Sequence, residues 1–378
     1  MILKRFLFVV CLILVAYLSK SVWLPYIHKG ELNSKIMEIK DHPNVTAAVD
    51  SFTETVGTIV EQFERFLNDV QNKQEEQNHV KSPILSNPTN QMFAIYNIEI
   101  GTSKNEIEQR IGVPKRVTEN EYGVKWHTYH EGYHHFVMVS YDADDRVNGL
   151  YTNQDLISSA SGIKLGSTKD DVLANLGSPL TKMRKGMIYY QLPDNGESQV
   201  FQVDNSYITV FYDKHEHDVV TALQVIRKDL EEQRNTLYSQ PNPQLKEGFE
   251  YQLFDLTNAT RVNHQLNVLE WDDVVKETAR KHSLDMAENH YFDHVNLQGK
   301  SPFDRMEEDH ISFRVAGENL AYGQFSSIFA HEGLMNSLGH RENILKPDYT
   351  ILGIGVAFND EYQPYYTENF INKGFIAR

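Results

Sequence analysis

The chain has 378 residues, a length that is enough for two ordinary globular domains and their connections. Of these residues 40% are hydrophobic and 23% charged, as in globular proteins. Its formal net charge of −16 argues against binding to nucleic acid and against general adhesion to anionic lipid or polymer. The single cysteine, Cys11, excludes an internal disulfide, a cysteine-based zinc cluster and a cysteine nucleophile in the globular part.

The N-terminus has the composition of a membrane-targeting segment. Basic residues at 4–5 precede an apolar run over 6–18, which is typical of a signal peptide or a short membrane anchor. No small-x-small cleavage pattern follows, and the aromatic residues of 23–26 resemble an interfacial belt. We therefore predict an uncleaved anchor within 1–30, with a cleaved signal and a secreted product as the alternative. The positive flank places the following chain outside the cytoplasm, and the single cysteine suits a Gram-positive exterior.

Residues 31–90 are polar in composition. Apolar residues from Val49 to Val70 recur at helical spacing, which predicts an amphipathic helix over 45–72. Because the polar face of this helix is acidic, we expect it to pack on the protein itself or on a second copy, in a homo-oligomer, rather than on a membrane. Residues 72–90 have the composition of a flexible spacer.

An internal repeat marks residues 91–230. The segment from Gly101 to Pro114 recurs from Gly166 to Pro179, with Gly, Lys, Gly and Pro at one offset (166 − 101 = 65). Each copy predicts a short strand, a glycine turn, a Ser/Thr-capped helix of about ten residues and a Gly-x-Pro stop. Strands are predicted over 136–141, 188–191, 200–203, 207–212 and 219–226. The two units together predict a duplicated helix-plus-antiparallel-strands domain of the α+β class.

Six histidines of this region could suggest a metal site: His127, His130, His134, His135, His215 and His217. The adjacent pair His134 and His135 lies on a predicted strand, so its side chains point to opposite faces and cannot easily chelate together. We therefore expect exposed surface histidines.

The C-terminal domain is predicted over 248–378, after a polar and charged boundary segment at 230–248. Its predicted elements are a helix over 249–269, a helix capped by Asp272 or Asp273, a helix over 326–337, and a hairpin of strands over 352–358 and 365–371. On the second helix, His282 falls on the apolar face, where we expect a buried core histidine.

Two histidines and a glutamate of this domain, His294, Glu318 and His340, lie beside small or turn-forming residues. Imidazole and carboxylate groups are ligands in zinc sites that keep an open coordination position, and they also act as general acids and bases in catalysis. A zincin helix is excluded, because the position four residues after His331 is Met335. The sequence also contains no Gly-x-Ser-x-Gly elbow and no phosphate-binding glycine loop.

Ordered motifs extend over 250–378: Asn258-x-x-Arg261, Leu269-x-Trp271, Ala279-x-x-His282-Ser-x-x-Met286, Phe292-Asp293-His294, Gly317-Glu318-Asn319, Ser337-x-Gly339-His340-Arg341-x-Asn343-Ile344-Leu345 and Gly353-Ile354-Gly355. Together they resemble the CAP superfamily, the SCP domain of cysteine-rich secretory, antigen 5 and pathogenesis-related proteins, in its disulfide-free bacterial form. The repeat region resembles the CAP-associated N-terminal domain of Gram-positive membrane-anchored members. The resemblance implies a C-terminal α-β-α sandwich with a shallow cleft.

The resemblance also implies which residues line the cleft. The family's His/Glu/His set falls on His294, Glu318 and His340, and in some relatives the histidines hold a divalent metal. The second glutamate of the family's cleft falls in the region of Glu332. Where the bacterial pattern has a tryptophan three residues before the serine, this sequence has Leu334.

Three functions are open on the sequence. The first is an extracytoplasmic, non-enzymatic module whose cleft binds a small ligand, a lipid or a cell-wall component, with zinc or another divalent metal as an optional ligand. The second is a metal-assisted hydrolase, in which His294 and His340 bind the metal and Glu318 is the general base; catalytic zinc normally has more than two protein ligands. In the third, the cleft is structural and a partner binds the repeat domain.

Overall fold

A computed structural model of the chain describes residues 82–374. The predicted anchor at 1–30 and the predicted amphipathic helix at 45–72 lie outside the described residues. None of the helices between residues 82 and 374 has the length and apolar character needed to cross a membrane. The end of the predicted flexible spacer is held in place, because the side chains of Asn97 and Glu99 bind backbone amides of Ser86, Thr89 and Asn90.

The N-terminal domain is built on an antiparallel sheet. In chain order its elements are β1 (Phe93–Ile95), α1 (Lys104–Ile111), β2 (Arg116–Glu119), β3 (Lys125–Glu131), β4 (His134–Tyr141), β5 (Val147–Thr152), β6 (Ile157–Ser159), α2 (Lys169–Leu176), β7 (Lys182–Lys185), β8 (Ile188–Gln191), β9 (Ser198–Val203), β10 (Ser206–Asp213), β11 (Val219–Arg227) and α3 (Lys228–Gln233). Seven strands form one sheet in the order β2-β3-β4-β5-β11-β10-β9, while β1 pairs with β6 and β7 pairs with β8.

Positions 65 residues apart adopt matching conformations. The Ser103 hydroxyl caps α1 and the Thr168 hydroxyl caps α2, and each accepts a hydrogen bond from a backbone amide of the first turn. Both helices end at a glycine with positive φ, Gly112 at 81° and Gly177 at 77°. The strands that close the two segments, β5 and β11, pair antiparallel at the centre of the sheet.

The five predicted strands of this domain are confirmed, most of them with one or two further residues at an end. The prediction omits β1, β2, β3, β5, β6 and β7, and the short strands predicted directly before Gly101 and Gly166 do not form. Strand β5 is buried at all six positions, so it lacks the apolar–polar alternation that marks a half-exposed strand. Its Gly149 packs so closely that a Cβ atom there would lie under 3.0 Å from Ser140 Oγ, which explains a glycine at the centre of the sheet.

The C-terminal domain has three layers, helix–sheet–helix. Its elements are α4 (Pro243–Asn263), β12 (Glu270–Trp271), α5 (Asp273–Asn289), α6 (Pro302–Glu308), β13 (Val315–Tyr322), α7 (Ser327–Met335), α8 (Leu338–Ile344), β14 (Ile351–Phe358) and β15 (Pro364–Asn372). The strand order is β12-β14-β15-β13, and the predicted β14–β15 hairpin is confirmed. Apolar residues of α4, α7 and α8 pack on one face of the sheet and those of α5 and α6 on the other.

The predicted boundary segment at 230–248 contains part of α3, and Arg234 after that helix is buried. The bounds predicted for the first helix of this domain are wrong. The first helix begins at Pro243 instead of 249, with Asn242 as its cap, and ends at Asn263 instead of 269. The polar composition of this segment conceals the helix start, because Asn-Pro is a capping signal as well as a linker signal. The second helix is capped by Asp272, one of the two predicted caps.

The two domains share a hydrophobic core. One face of the seven-stranded sheet is covered by α1 and α2, through Ile107 and Val172. On the opposite face, Trp126 and Phe211 pack in one cluster with Leu256 of α4 and with Ile328 of α7. The N-terminal domain therefore packs directly on the C-terminal domain.

Burial differs from prediction for some histidines. His215 and His217 are exposed, but His127, His130, His134 and His135 are half-buried, so the prediction of surface exposure is wrong for these four. Burial lowers the pKa of His130 to about 4. The predicted core histidine is confirmed, because His282 is 1% exposed.

Candidate functional site

The centre of the candidate site is Glu318, on the edge strand β13. Its side chain is 1% exposed, yet both carboxylate oxygens have partners. Oε1 lies 2.9 Å from His294 Nδ1, and Oε2 accepts a hydrogen bond of 2.6 Å from Arg305 Nη2. The buried negative charge is thereby compensated from two sides.

Arg305 is a residue of this site that the sequence did not suggest. It lies on α6, which begins with a capping box between Ser301 and Asp304. Besides Glu318, its guanidinium donates to the backbone oxygen of His294 at 2.8 Å and to that of Lys300 at 3.1 Å. One side chain therefore fixes both the carboxylate and the loop that carries His294. The available signal was the Ser-Pro-x-Asp start of a short helix, which predicts the helix but not the direction of the arginine.

His340 approaches the same edge strand from α8. Its Nδ1 lies 2.8 Å from Ser337 Oγ, three residues earlier. Its backbone oxygen accepts from Asn319 Nδ2 at 3.1 Å, and Asn343 Nδ2 donates to Asn319 Oδ1 at 2.9 Å. The spacing of Ser337, His340 and Asn343 thus places three polar side chains on the face of α8 that meets β13.

The two imidazoles present the same nitrogen to solvent. Each Nδ1 is held by the protein, and in the stretch 82–374 neither Nε2 has a hydrogen-bond partner. The hydrogen bond to Glu318 raises the pKa of His294. Burial lowers the pKa of His340, and the nearby charge of His294 lowers it further. The structure therefore brings His294, Glu318 and His340 together.

Glu332, predicted in the same cleft, lies elsewhere. On α7 it is buried, and its Oε1 accepts a hydrogen bond of 2.6 Å from the hydroxyl of Tyr151 on β5. It lines a cavity of about 560 Å³ between the two domains, together with Asp213 and Arg341. Burial raises the pKa of its carboxyl to about 7. The placement of Glu332 with His294 and His340 is thus corrected, because its partner belongs to the N-terminal domain.

A different glutamate, Glu368 of β15, lies beneath the site. Its Oε2 accepts from Asn319 Nδ2 at 3.0 Å, and its Oε1 accepts from the hydroxyl of Thr257 at 3.2 Å. Burial raises the pKa of this carboxyl to about 7. Asn319 therefore links Glu368 to His340 and Asn343, so this buried group supports the orientation of α8.

Exposed apolar side chains border the site, and we call them the apolar rim: Phe292, Val295, Leu297 and Leu338. The first three lie in the loop that carries His294, and the fourth is on α8, two residues before His340. Polar imidazoles beside exposed apolar groups suit a ligand with both characters.

Two imidazoles at this site, those of His294 and His340, are available as ligands for a metal ion. In the part of the chain from 82 to 374, His, Asp and Glu side chains nowhere come together in a group of three or more that could hold a metal ion.

Two family profiles match the chain. Residues 100–237 match the CAP-associated N-terminal domain, and residues 254–370 match the cysteine-rich secretory protein family, CAP. The "uncharacterized membrane protein YlbC" of Bacillus subtilis is 30% identical over 292 residues, which cover 72% of this chain and 82% of the relative. The chain belongs to the CAP family. The "uncharacterized protein YkwD" of the same organism is 39% identical over 142 residues, 38% of this chain and 53% of that protein.

Solved structures of the CAP family have the same fold. An extracellular protein of Bacillus anthracis that contains an SCP domain has a TM-score of 0.64 at 26% identity, and the match covers 78% of this chain and 100% of that one. A cysteine-rich secretory protein of Staphylococcus aureus has a TM-score of 0.57 at 17% identity, covering 76% of this chain and 95% of that one. Both matches extend beyond the CAP domain into the N-terminal domain.

The two imidazoles of this CAP domain should titrate in a fixed order. As the pH rises, we expect His340 to lose its proton below 6.5 and His294 above it, because burial acts on the first and the Glu318 carboxylate on the second. Two-dimensional NMR of the imidazole nitrogens measures both pKa values. In His294→Gln, the pKa of His340 should move up towards 6.5, since the neighbouring charge is gone. The opposite order, or an unmoved His340, would show that the rings do not interact.

Proposed function

We propose that this CAP-family protein is an extracytoplasmic, membrane-anchored, non-enzymatic binding module. Its cleft takes a small ligand, a lipid or a cell-wall component. The observation that carries the proposal is the pair of half-exposed imidazoles, His294 and His340. Each is fixed through Nδ1, and its Nε2 has no partner among the described residues 82–374. A ligand with a hydrogen-bonding group can reach both Nε2 atoms while its apolar part covers the apolar rim.

The contacts of Glu318 favour binding over hydrolysis. A general base needs a carboxylate oxygen that can accept a proton from water. Both oxygens of Glu318 are engaged, one by His294 and one by Arg305, and its side chain is 1% exposed. Its role in this proposal is to orient His294 and to keep that imidazole positively charged to higher pH.

A divalent metal such as zinc fits the same pair as an optional ligand. Metal-binding histidines usually have their second nitrogen held by a carboxylate or another protein group, as Glu318 and Ser337 hold these two. Two imidazoles are one fewer than the three protein ligands that a catalytic zinc usually has. The metal would therefore bridge the protein to a ligand that completes the coordination.

The location and the architecture of the N-terminal domain belong to the same proposal. Similarity to a protein named as a membrane protein and to one named as extracellular supports an anchor at 1–30 with the CAP domain outside the cytoplasm. The matching caps at Ser103 and Thr168 support an origin of the N-terminal domain by duplication.

Loss of both imidazoles should abolish binding in the cleft. We expect wild-type full-length protein to bind zinc in a calorimetric titration and His294→Ala/His340→Ala to bind it at least about tenfold more weakly, because both free Nε2 donors are removed. Mass spectrometry of organic extracts from the same preparations should find a small molecule that copurifies with the wild type and is absent from the double variant.

The matched control is His310→Ala, which removes an exposed histidine after α6. It should bind zinc and the copurifying molecule as the wild type does. Equal binding by wild type and double variant in both measurements would contradict the proposal. Copurification that depends on the histidines without zinc binding would retain the binding cleft and exclude the metal.

A further inference from the structure

A second cavity, of about 610 Å³, lies between the two domains and apart from the candidate site. It is bounded by the β7–β8 hairpin, the edge of the seven-stranded sheet, α3 and the β13–α7 connection. Small-molecule sites typically have volumes of roughly 300–1,000 Å³ and lie preferentially at domain interfaces. Most of its wall is apolar, including Leu180, Leu192, Ile226, Phe325 and Phe329.

One end of this cavity carries charge. Lys185 is 2% exposed, Glu231 4% and Arg234 8%, and all three line the wall. Lys185 and Glu231 form an ion pair, and the hydroxyl of Tyr122 donates to Glu231 Oε2 at 2.8 Å. Glu231 therefore has two partners within the protein, and burial lowers the pKa of Lys185 to about 7.

Arg234 differs from its neighbours. Its Nη2 donates to the backbone oxygen of Leu237, and its guanidinium stacks on Tyr122 and Phe325, 4.9 and 5.0 Å from the ring centroids. Its Nε has no hydrogen-bond partner, and across residues 82–374 no carboxylate forms an ion pair with it. A guanidinium stays charged at any physiological pH, and a buried charge without an ionic partner is costly.

Two further groups bear on the charge that a bound molecule would carry. The Nε2 of Gln224, a residue 2% exposed on the cavity wall, also has no hydrogen-bond partner within the described part of the chain. The carboxyl of Glu121 lies near Arg234, but burial raises its pKa to about 7, so it carries only part of a negative charge at neutral pH. Within residues 82–374, Gln324 Oε1 on the same wall and both carboxylate oxygens of Glu121 also lack hydrogen-bond partners, so it is the permanent positive charge of Arg234 that favours an anionic ligand.

We infer that this cavity binds an anionic amphiphile: its carboxylate or phosphate group is held by Arg234, and its apolar chain lies along Leu180, Leu192 and Phe329. The anion supplies the ionic partner that Arg234 lacks, and the chain covers the apolar wall. The cavity uses none of His294, Glu318 and His340, so this site is independent of the proposed cleft function.

Short soluble amphiphiles test this inference on the full-length chain held in phosphatidylcholine nanodiscs, with empty nanodiscs as the blank. In calorimetric titrations we expect octanoate or octyl phosphate to bind, and uncharged 1-octanol to bind at least about tenfold more weakly. The tighter of the two anions distinguishes a carboxylate from a phosphate source. Octanol binding as tightly as both anions, or no anion binding at all, would overturn the inference.

Substitutions locate the site. Arg234→Gln should weaken anion binding at least about tenfold, because the charge is lost. Its matched control is Arg184→Gln, on the exposed side of β7, which should bind as the wild type does. Leu192→Trp, at the half-buried rim, fills the cavity and should block the chain of either anion while the thermal midpoint stays near wild type. If Arg234→Gln fails to fold, this variant decides; unchanged binding in it, or an equal loss in Arg184→Gln, rejects the cavity.

Discussion

Replacing Arg305 by methionine should destabilise the protein by about 3–5 kcal/mol, the usual cost of breaking a buried ion pair from one side. Glu318 has a side chain that is 1% exposed, and among residues 82–374 Arg305 is its only cationic partner besides the His294 imidazole. The same substitution removes both hydrogen bonds that fix the loop from His294 to Lys300. Urea unfolding of the full-length protein measures the free energy, and NMR of His294 reports the loss of order in its loop.

A double-variant cycle separates charge from packing. Glu318→Gln in the Arg305→Met background should recover part of the lost stability, because the remaining amide no longer needs a cation. Arg314→Met serves as the matched control, since Arg314 is exposed at the start of β13 and should change the stability by less than about 0.5 kcal/mol. If Arg305→Met costs no more than the control, the ion pair does not hold the site together.

The three residues at the centre of the site could be predicted from sequence. The buried residues that hold them in place, Arg305 and Glu368, could not. His294, Glu318 and His340 are found by their motifs, because each adjoins residues that the family retains near its cleft. Arg305 depends on the orientation of the short helix α6, which the helical spacing of the sequence does not give. Glu368 is a glutamate in a buried strand, and only the pairing of β15 with β13 places it beside Asn319.

The error at Glu332 has a related cause. Its position on α7 is two residues from Leu334, so the two side chains point to different faces of the helix. Leu334 packs in the CAP core, and Glu332 turns to Tyr151 of the other domain. When each domain is considered separately, its sequence does not reveal a hydrogen-bond partner that lies 181 residues away in the other domain.

Complete burial explains one of the missed strands, but it does not explain the omission of β2 and β3, which are partly exposed. Strand β5 is buried on both faces, by the helices of its own domain and by α4 and α7 of the CAP domain, so it shows no alternation of apolar and polar residues. The same packing makes α3 and Arg234 part of an interdomain wall, where composition indicates a linker. The relation between the two domains is therefore the largest part of the fold that the sequence leaves undetermined.

A substitution in the Gly353-Ile354-Gly355 motif should also destabilise the protein strongly. On β14 the two glycines face α5, and a Cβ atom on Gly355 would lie under 3.0 Å from backbone atoms of Ala279 and Arg280. Neither the helix nor the central strand can move without disturbing the core, so Gly355→Ala should cost about 3 kcal/mol or more. The control is Gly333→Ala in α7, where the nearest atom is 3.9 Å away. Urea unfolding should show this second variant unchanged or stabilised by up to about 1 kcal/mol, because alanine favours a helix; equal effects of both substitutions would mean that α5 does not pack directly on this strand.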